Sequence, residues 1–412
     1  MAGVLSSAAS PSPHQACVRT LATQLQPALH WFHRERRWID QQHLELCRIP
    51  APTFLEQRRA EWFAARLREL DWDARLDRAG NVIATLGSGS PKVALAAHLD
   101  TVLAPRSPAD ISVDGDGTLR GPGVADNGAG LAALLALARL LGEFPDLKES
   151  FRPLILVATV GEEGEGNLNG MRSFVAHPPG RHIQNYIVLD GPRLDHITCQ
   201  ALESRRLEVC FSGPGGHSWS DFGAANPVHA LAHAISAFAA AASQLAADAP
   251  HRLSFNFGLI EGGATVNAIP DSARAKVDLR SENPESIHRL IDLLHQAVSD
   301  AESVENRRAS GPKLSARIRE IGSRPGGTLP PSSPLLSLVQ AVDRHLGIAS
   351  RPDCASTDAN IPLSLSLPAI SIGAGGQGGN AHTPAEWFHP QGRHLGLQRI
   401  LLLLAALLQP TG

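Results

Sequence analysis

The chain has 412 residues, of which 43% are hydrophobic and 19% are charged, and its formal net charge is -3. This composition is typical of a globular protein with enough material for two or three domains. It lacks the strong basic charge of proteins that bind nucleic acid or anionic membranes, so we expect neither partner.

Three further features favour the cytoplasm. The five cysteines are scattered, and none forms a Cys-x-x-Cys pair. They are best interpreted as reduced thiols. Residues 1–15 lack the basic leader and apolar run of a signal peptide. The longest apolar run, 400–408, is much shorter than the roughly 20 residues of a membrane helix. We expect it to form a C-terminal core helix.

The first half of the chain predicts an α/β domain. Residues 1–15, rich in Ala, Ser and Pro, are predicted to be a disordered tail. Strands alternating with helices favour a mostly parallel sheet flanked by helices. The predicted helices are 21–70, with a break at 49–52, and 130–141; the predicted strands are 81–86, 93–97, 154–160 and 186–189.

The pattern changes after residue 200. Strands are predicted at 207–212, 254–260 and 273–280, and helices at 227–247 and 284–300. This order predicts a small two-layer α/β domain inserted at 200–315. The polar segment 303–326 is predicted to carry the chain back, followed by a helix at 333–346 and a strand at 369–372. The catalytic domain is therefore predicted to comprise 16–199 and 316–412.

Five junctions between an apolar segment and a loop carry residues that can bind a metal. In open α/β sheets, ligands bind outside the carboxyl ends of the strands, so such residues can meet in one site. Asp100 lies two residues after His98 and could orient that histidine through its second imidazole nitrogen. Taken alone, a His-x-Asp pair is also an ordinary surface feature. The five residues are His98, Asp126, Glu163, Asp190 and His382.

Two of these junctions have alternative interpretations. The glycine-rich loop at 121–130 lacks both the Lys-Ser/Thr of a P-loop and a G-x-G-x-x-G pattern, so we interpret its glycines as turning the backbone to place Asp126. The acids Glu162 and Glu163 could simply cap a helix N-terminus. Alternatively, one carboxylate binds a metal while its neighbour acts as a base. Two imidazoles with three carboxylates suit zinc, manganese or cobalt.

With these motifs in order, the sequence resembles the M20 family of metallopeptidases, from about residue 40 to the C-terminus. This family includes peptidase T-like aminopeptidases, dipeptidases, aminoacylases and amino-acid deacetylases. The resemblance implies two divalent ions, predicted to be zinc. It implies that Asp126 bridges them, with His98 and Asp190 on one ion and Glu163 and His382 on the other. It implies that Glu162 is the general base and that Asp100 lies behind His98.

The resemblance extends to the inserted segment. The loop 212–218 resembles one whose histidine, here His217, reaches the partner subunit's active site and steadies the oxyanion, which implies a homodimer. Asn267 and Arg280 lie in segments that resemble those holding a substrate carboxylate. A salt bridge within a strand is an equal alternative for Arg280. Residues 356–360 resemble a segment near the substrate pocket, without an assigned role.

The predicted function is metal-dependent hydrolysis of a peptide or amide bond in a small substrate, with di- and tripeptide exopeptidase activity favoured. Deacylation of N-acyl amino acids is the alternative, and a non-catalytic binding protein on the same fold is a remote one. The preference for peptides rests on Asp190, because relatives tend to have Asp there in aminopeptidases and dipeptidases and Glu in carboxypeptidases and deacylases. A protein that only dimerises through its insert is a further alternative.

Overall fold

The computed structural model describes residues 12–408. The chain divides into two compact units: one contains the residues up to Gln200 and from Thr328 onward, and the other is Ala201–Gly327. The insertion therefore ends later than the predicted boundary at residue 315. The reason is a ten-residue strand, Ser315–Arg324, that completes the inserted sheet. Its alternating apolar positions are separated by charged residues, so the sequence suggested a polar connection.

Twelve α-helices are assigned within the described residues. Helix α5 is apolar on every side and almost entirely buried, as expected of a helix packed inside a large core. The helices are α1 (Pro13–Gln24), α2 (Gln26–Arg34), α3 (Arg36–Cys47), α4 (Gln57–Glu69), α5 (Gly128–Glu143), α6 (Pro145–Ser150), α7 (Asn169–Ala176), α8 (Pro227–Asp248), α9 (Pro284–Arg308), α10 (Pro334–Leu346), α11 (Asn360–Ser364) and α12 (Arg393–Leu408).

The strands assigned in the same residues are β1 (Asp73–Leu76), β2 (Val82–Leu86), β3 (Val93–His98), β4 (Ser112–Val113), β5 (Leu119–Arg120), β6 (Leu154–Thr159), β7 (Asn185–Leu189), β8 (His196–Ala201), β9 (Glu203–Ser212), β10 (Gly216–His217), β11 (Leu253–Gly262), β12 (Ala268–Ile269), β13 (Ser272–Ser281), β14 (Ser315–Arg324), β15 (Gly327–Thr328), β16 (Arg351–Ala355), β17 (Ala369–Ile372), β18 (Gln377–Gly379) and β19 (Trp387–His389).

The first unit is built on a nine-stranded sheet in the order β1-β2-β6-β3-β7-β17-β8-β15, with β16 paired to β8. Its centre, β6-β3-β7-β17, is parallel, which confirms the predicted mostly parallel sheet. These central strands are buried apolar runs, as expected for strands covered on both faces. Their carboxyl ends therefore lie along one edge. A separate small sheet, β18-β19-β5-β4, lies in the same unit.

The second unit is a two-layer α/β domain, as predicted. Its antiparallel sheet has the order β11-β13-β9-β14, and α8 and α9 supply its helices. Helix α8 is long and apolar enough to cross a membrane by length and composition. Here it contributes to the core of the unit: the Phe238 ring meets Phe255 and Phe257 edge-on, at centroid distances of 5.4 and 5.7 Å. Helix α9 extends to Arg308, eight residues beyond its predicted end at 300.

The N-terminal prediction is partly wrong. Residues 1–11 of the predicted tail lie outside the described residues, but α1 already begins at Pro13. Ser12 caps this helix: its Oγ accepts a hydrogen bond from the Gln15 amide at 3.4 Å, and Gln15 Oε1 accepts one from the Ser12 amide at 2.9 Å. This reciprocal arrangement, with Pro at the first helical position, is a strong helix start. The predicted break at 49–52 is present between α3 and α4.

Candidate active site

The carboxyl ends of three neighbouring parallel strands carry the predicted acids and the first histidine. His98 ends β3, the pair Glu162 and Glu163 follows β6, and Asp190 follows β7. Strands β6 and β7 flank β3 in the sheet, with His98 opposite Thr159. The sheet therefore brings residues almost 100 positions apart in the chain to one edge, as expected for an α/β binding site.

Asp126 is at the centre of this group. Its Oδ1 lies 3.0 Å from His98 Nε2, and its Oδ2 lies 3.1 Å from His382 Nε2. Glu163 Oε1 is also 3.0 Å from His382 Nε2, and Asp190 Oδ1 is 4.0 Å from His98 Nε2. The two oxygens of one carboxylate thus face two different histidines, each with a second acid beside it. The structure brings all five predicted ligands together.

His382 reaches this group from the small sheet. It lies between β18 and β19, and β19 pairs with β5, which directly precedes the glycine-rich loop. The His382 backbone is in the left-handed region, with φ 65°. That conformation is uncommon for residues other than glycine, and such residues concentrate at functional sites. The hairpin and the loop carrying Asp126 are therefore held side by side by strand pairing.

The electrostatics of the group are those of acids crowded around two imidazoles. Burial, and then the charge of Asp126, raise the pKa of Asp190 to about 7. Hydrogen bonds to Asp126 and Glu163 raise the pKa of His382 to about 10. Burial opposes protonation of His98, but its hydrogen bonds to Asp100 and Asp126 prevail and hold its pKa well above the ordinary value. Positive charge is thus strongly favoured at this position.

This donor set fits a pair of divalent cations. Three overlapping groups have ligand atoms within 4.8 Å of one another: His98 with Asp126 and Asp190, Asp126 with Glu163 and His382, and His98 with Glu162 and Glu163. Asp126 belongs to two of them, as a bridging carboxylate must. Imidazole and carboxylate ligands are those of zinc and of manganese or cobalt.

Asp100 contacts the second ring nitrogen of His98 through its main chain. His98 Nδ1 donates to the main-chain carbonyl of Asp100 at 2.9 Å, whereas the nearest carboxylate oxygen is 3.6 Å away. The carboxylate instead accepts the amides of Glu162 and Glu163 at 3.0 and 2.9 Å, and the Thr53 hydroxyl at 3.0 Å. Asp100 therefore orients His98 through its backbone and holds the adjacent acid pair through its side chain.

Two residues that support the Asp126 loop were not predicted. Glu386 is buried, and its carboxylate accepts the amides of Gly123, Ala125 and Asp126 at 2.7–2.9 Å. Asn127 Oδ1 caps α5 by accepting the Gly130 amide at 3.1 Å, and its Nδ2 donates to the Leu189 carbonyl at 2.8 Å. Asn127 thereby ties the loop to the strand that ends before Asp190. The partners are main-chain groups, which leave no mark in the sequence.

The segment 356–360, whose role the resemblance left open, lies beside the same sheet edge. Buried Asp358 accepts a hydrogen bond from the hydroxyl of Thr159, the last residue of β6. Its charge is also one of the causes that raise the pKa of Asp190, after burial and the charge of Asp126. The segment therefore supports the strand ends that carry the acids.

In the inserted unit, the structure fixes the proton position of His217. Its Nδ1 accepts the amides of Trp219 and Ser220 at 3.2 and 3.3 Å, while its own amide donates to Asp221 Oδ2 at 2.7 Å. A nitrogen that accepts two N–H groups carries no hydrogen itself, so in the neutral imidazole the hydrogen is on Nε2. His217 therefore presents an exposed hydrogen-bond donor.

The two predicted carboxylate-binding residues lie in different places within this unit. Asn267 is next to His217: the Ser218 amide donates to its carbonyl at 3.0 Å, and His217 pairs with Ala268. Arg280 is near the far end of β13, opposite Ser204, and its Nε donates to Asp278 at 2.6 Å. The alternative of a salt bridge within a strand is thus present for Arg280, and the unit does not bring Arg280 beside Asn267.

Comparisons with solved structures agree on the fold. An aminopeptidase PepT from Bacillus cereus superposes with a TM-score of 0.66 at 18% identity, over 89% of this chain and 97% of that one. A tripeptidase from Staphylococcus aureus superposes with a TM-score of 0.68 at 21% identity, over 89% of this chain and 98% of that one. A dinuclear metal-binding M20 peptidase, YXEP, from Bacillus subtilis superposes with a TM-score of 0.64 at 15% identity, over 90% of this chain and 98% of that one.

Curated relatives are similar in sequence at low identity. A succinyl-diaminopimelate desuccinylase of Rhodopseudomonas palustris is 26% identical over 72% of this chain and 78% of its own. An acetylornithine deacetylase of Proteus mirabilis is 24% identical over 74% of this chain and 77% of its own. With a desuccinylase of Parvibaculum lavamentivorans, 28% identical over 48% of this chain, the match spans about half (52%) of the relative.

The family model for peptidase family M20/M25/M40 matches residues 94–406, about three quarters of the chain. The match includes all five predicted ligands, the acid pair and the inserted unit. The names of this family and of the relatives above all describe hydrolysis of a peptide or amide bond. The chain belongs to peptidase family M20/M25/M40.

Proposed function

We propose that this protein is a two-metal exopeptidase that hydrolyses di- or tripeptides with a free amino terminus. The position of Asp126 is the observation that supports two metal ions, because its two carboxylate oxygens face His98 and His382 at 3.0 and 3.1 Å. We assign His98 and Asp190 to one ion, Glu163 and His382 to the other, and Asp126 to both. Zinc is the proposed metal, with manganese and cobalt as alternatives.

Glu162 is the proposed general base. It is buried beside Glu163, and the Asp100 carboxylate fixes its amide. Bound divalent ions supply Lewis-acid polarisation of the substrate carbonyl and a lowered pKa for water. Glu162 takes a proton from the attacking water and later delivers it to the leaving amine. One water is consumed, the amide bond breaks, and a carboxylic acid and an amine are released.

His217 and Asn267 are the proposed contributions of the inserted unit. The Nε2–H of His217 is a donor available to an oxyanion, and donors of this kind supply a large part of the rate enhancement in acyl transfer. Asn267, adjacent to His217, is the proposed contact for a substrate carboxylate. Arg280 remains a proposal as a second contact, and it would have to exchange its bond to Asp278 for one to substrate.

The preference for peptides rests on Asp190. An aspartate is shorter than a glutamate and leaves room for a free amine beside the ligands, and its carboxylate can pair with that amine. The solved structures of similar fold include an aminopeptidase and a tripeptidase. The second candidate is deacylation of N-acyl amino acids, which is supported by the curated relatives, a desuccinylase and an acetylornithine deacetylase.

Hydrolysis assays separate these two candidates. After reconstitution with Zn²⁺, kcat/KM is measured for Leu-Gly-Gly, Ala-Leu, N-acetyl-Leu and N-acetyl-ornithine. Faster cleavage of the two peptides is the expected result. Faster cleavage of the acylated compounds would replace the exopeptidase by the deacylase and leave the two-metal chemistry unchanged.

We also propose a cytoplasmic homodimer assembled through the inserted unit. Strand β11 is at the edge of its sheet, where unpaired main-chain groups are available to a second copy, and its Ile260 side chain is 63% exposed. All five cysteines are free, which supports a reducing compartment. Light scattering tests the dimer, and cell fractionation with an antibody tests the location.

A further inference from the structure

Helix α3 contacts the loop that carries Asp126 through two of its side chains. His43 of this helix is fully buried, and its Nε2 lies 2.7 Å from the Val124 carbonyl oxygen. The Cys47 thiol, one turn later, lies 3.6 Å from the Gly123 carbonyl. This helix precedes the residues matched by the family model. The main-chain amides of the loop thus bind Glu386, and two of its carbonyls face α3.

The proton of His43 is assigned by its other neighbour. Arg393 Nη2 lies 2.6 Å from His43 Nδ1, and a guanidinium can only donate. Nδ1 therefore accepts, the ring hydrogen is on Nε2, and Nε2–H donates to Val124. Arg393 is itself fixed by Asp40 at 2.8 Å, and the Phe388 ring lies 4.7 Å from the His43 ring, edge to face. The imidazole is held on both sides.

Helix α3 lies very close to the start of α5 around His43. A Cβ atom on Gly128, at the start of α5, would lie 2.5 Å from Cys47 Sγ and 2.7 Å from His43 Nε2. Gly123 has φ 77°, and a Cβ there would lie 2.4 Å from Thr101 Cγ2. Close approach of α3 therefore requires glycine at position 128, whereas glycine at position 123 is required by the contact of the loop with Thr101. The sequence thus allows direct contact between the imidazole and the loop backbone.

We propose that His43 is a positioning residue for Asp126, which fixes the metal-binding loop by donating from Nε2 to the Val124 carbonyl. The proposal rests on the proposed role of Asp126 as bridging ligand. Val124 is only two residues before Asp126, and a buried carbonyl that loses its donor favours a rearranged backbone. Because Asp126 must serve both ions at once, a small displacement of the loop weakens the site. Loss of such supporting contacts typically lowers metal affinity about 10–100-fold.

Two amide substitutions separate the contacts of the imidazole. In His43→Gln, the amide nitrogen replaces Nε2 and can donate to Val124. In His43→Asn, the amide oxygen replaces Nδ1 and can accept from Arg393, but the side chain does not reach Val124. We expect about a tenfold weaker Zn²⁺ affinity for the asparagine variant and an affinity close to wild type for the glutamine variant. Zn²⁺ affinity is measured by competition with a chelator, independently of turnover.

The control is Ile39→Ala, a cavity on the buried face of the same helix, which should lower stability and leave Zn²⁺ affinity unchanged. Circular dichroism establishes that each variant is folded; if the asparagine variant does not fold, His43→Leu takes its place. Equal Zn²⁺ affinities for the glutamine and asparagine variants would overturn the proposal, as would equal weakening by Ile39→Ala. Wild-type protein that takes up no Zn²⁺ would instead overturn the proposed function and this inference together.

Discussion

Replacement of Asp100 by asparagine tests how the adjacent acids are held. The carboxylate is fully buried and accepts from Glu162, Glu163 and Thr53 at 2.9–3.0 Å. Burial alone would raise the pKa of Asp100, but the nearby His98 imidazole and the hydrogen bonds from the two amides hold its pKa below the ordinary 3.8. Its stabilising contribution is therefore full above pH 3.8 and is lost as the pH falls through the lower folded pKa.

The magnitude follows from the donors around the side chain. An asparagine has one oxygen, so in either orientation its NH₂ group faces the amide of Glu162 or that of Glu163. The Thr53 hydroxyl can rotate and accept, but a main-chain N–H cannot. One buried donor without an acceptor costs about 1–3 kcal/mol, and the remaining bonds lose their charge assistance. We expect Asp100→Asn to lower the free energy of unfolding by roughly 2–4 kcal/mol.

The assay is urea denaturation of the metal-free protein at pH 7, compared with Asp114→Asn. Asp114 is 40% exposed and pairs with Arg120 at 2.6 Å, so the same chemical change there should cost at most about 1 kcal/mol. We expect kcat of Asp100→Asn to fall about 10–100-fold, since the two acids lose their anchor. Unfolding free energies equal to wild type for Asp100→Asn would refute the reasoning.

Three other predictions follow. Glu162→Gln should lower kcat about 10²–10⁴-fold with metal retained, whereas Glu163→Gln should weaken metal binding; exchanged phenotypes in kinetics and elemental analysis would reverse the two assignments. Because the pKa of metal-free His382 is raised to about 10, Zn²⁺ binding at pH 7 should release a proton, and the stabilisation from this group, full below pH 6.5, should be lost as the pH rises through 10. Calorimetric heats that do not depend on the ionisation enthalpy of the buffer would contradict that release. His217→Ala should lower kcat about 10²–10³-fold with metal retained. If light scattering shows that the wild-type protein is a monomer and that monomer is fully active, action of His217 across a dimer is excluded.

The sequence predicted those parts of the site that lie at strand ends. Buried parallel strands are continuous apolar runs, so β3, β6 and β7 are visible in the sequence together with the histidine or acids that end or closely follow each. His98, Glu163 and Asp190 could therefore be selected without coordinates. Asp126 and His382 were selected from glycine-rich loops, and the pairing of β5 with β19 that brings them together was not predictable.

The residues that support the site were missed for a physical reason. Glu386, Asn127 and His43 bind main-chain amides or carbonyls, which every residue has, so no pairing pattern marks them. Glu386 and its partners are about 260 positions apart. Strand β14 was missed because it is an edge strand with charged residues between its apolar positions, which resembles a polar loop.

Metal stoichiometry is the most direct test of the account. The protein is treated with a chelator, dialysed against excess Zn²⁺, freed of unbound ion and analysed for zinc per chain, together with Asp126→Ala treated identically. We predict two ions per chain for the wild type, and fewer than one for the variant, because both proposed sites share Asp126. A wild-type chain that retains no stoichiometric metal, or an Asp126→Ala chain that still holds two ions, would contradict the two-metal centre.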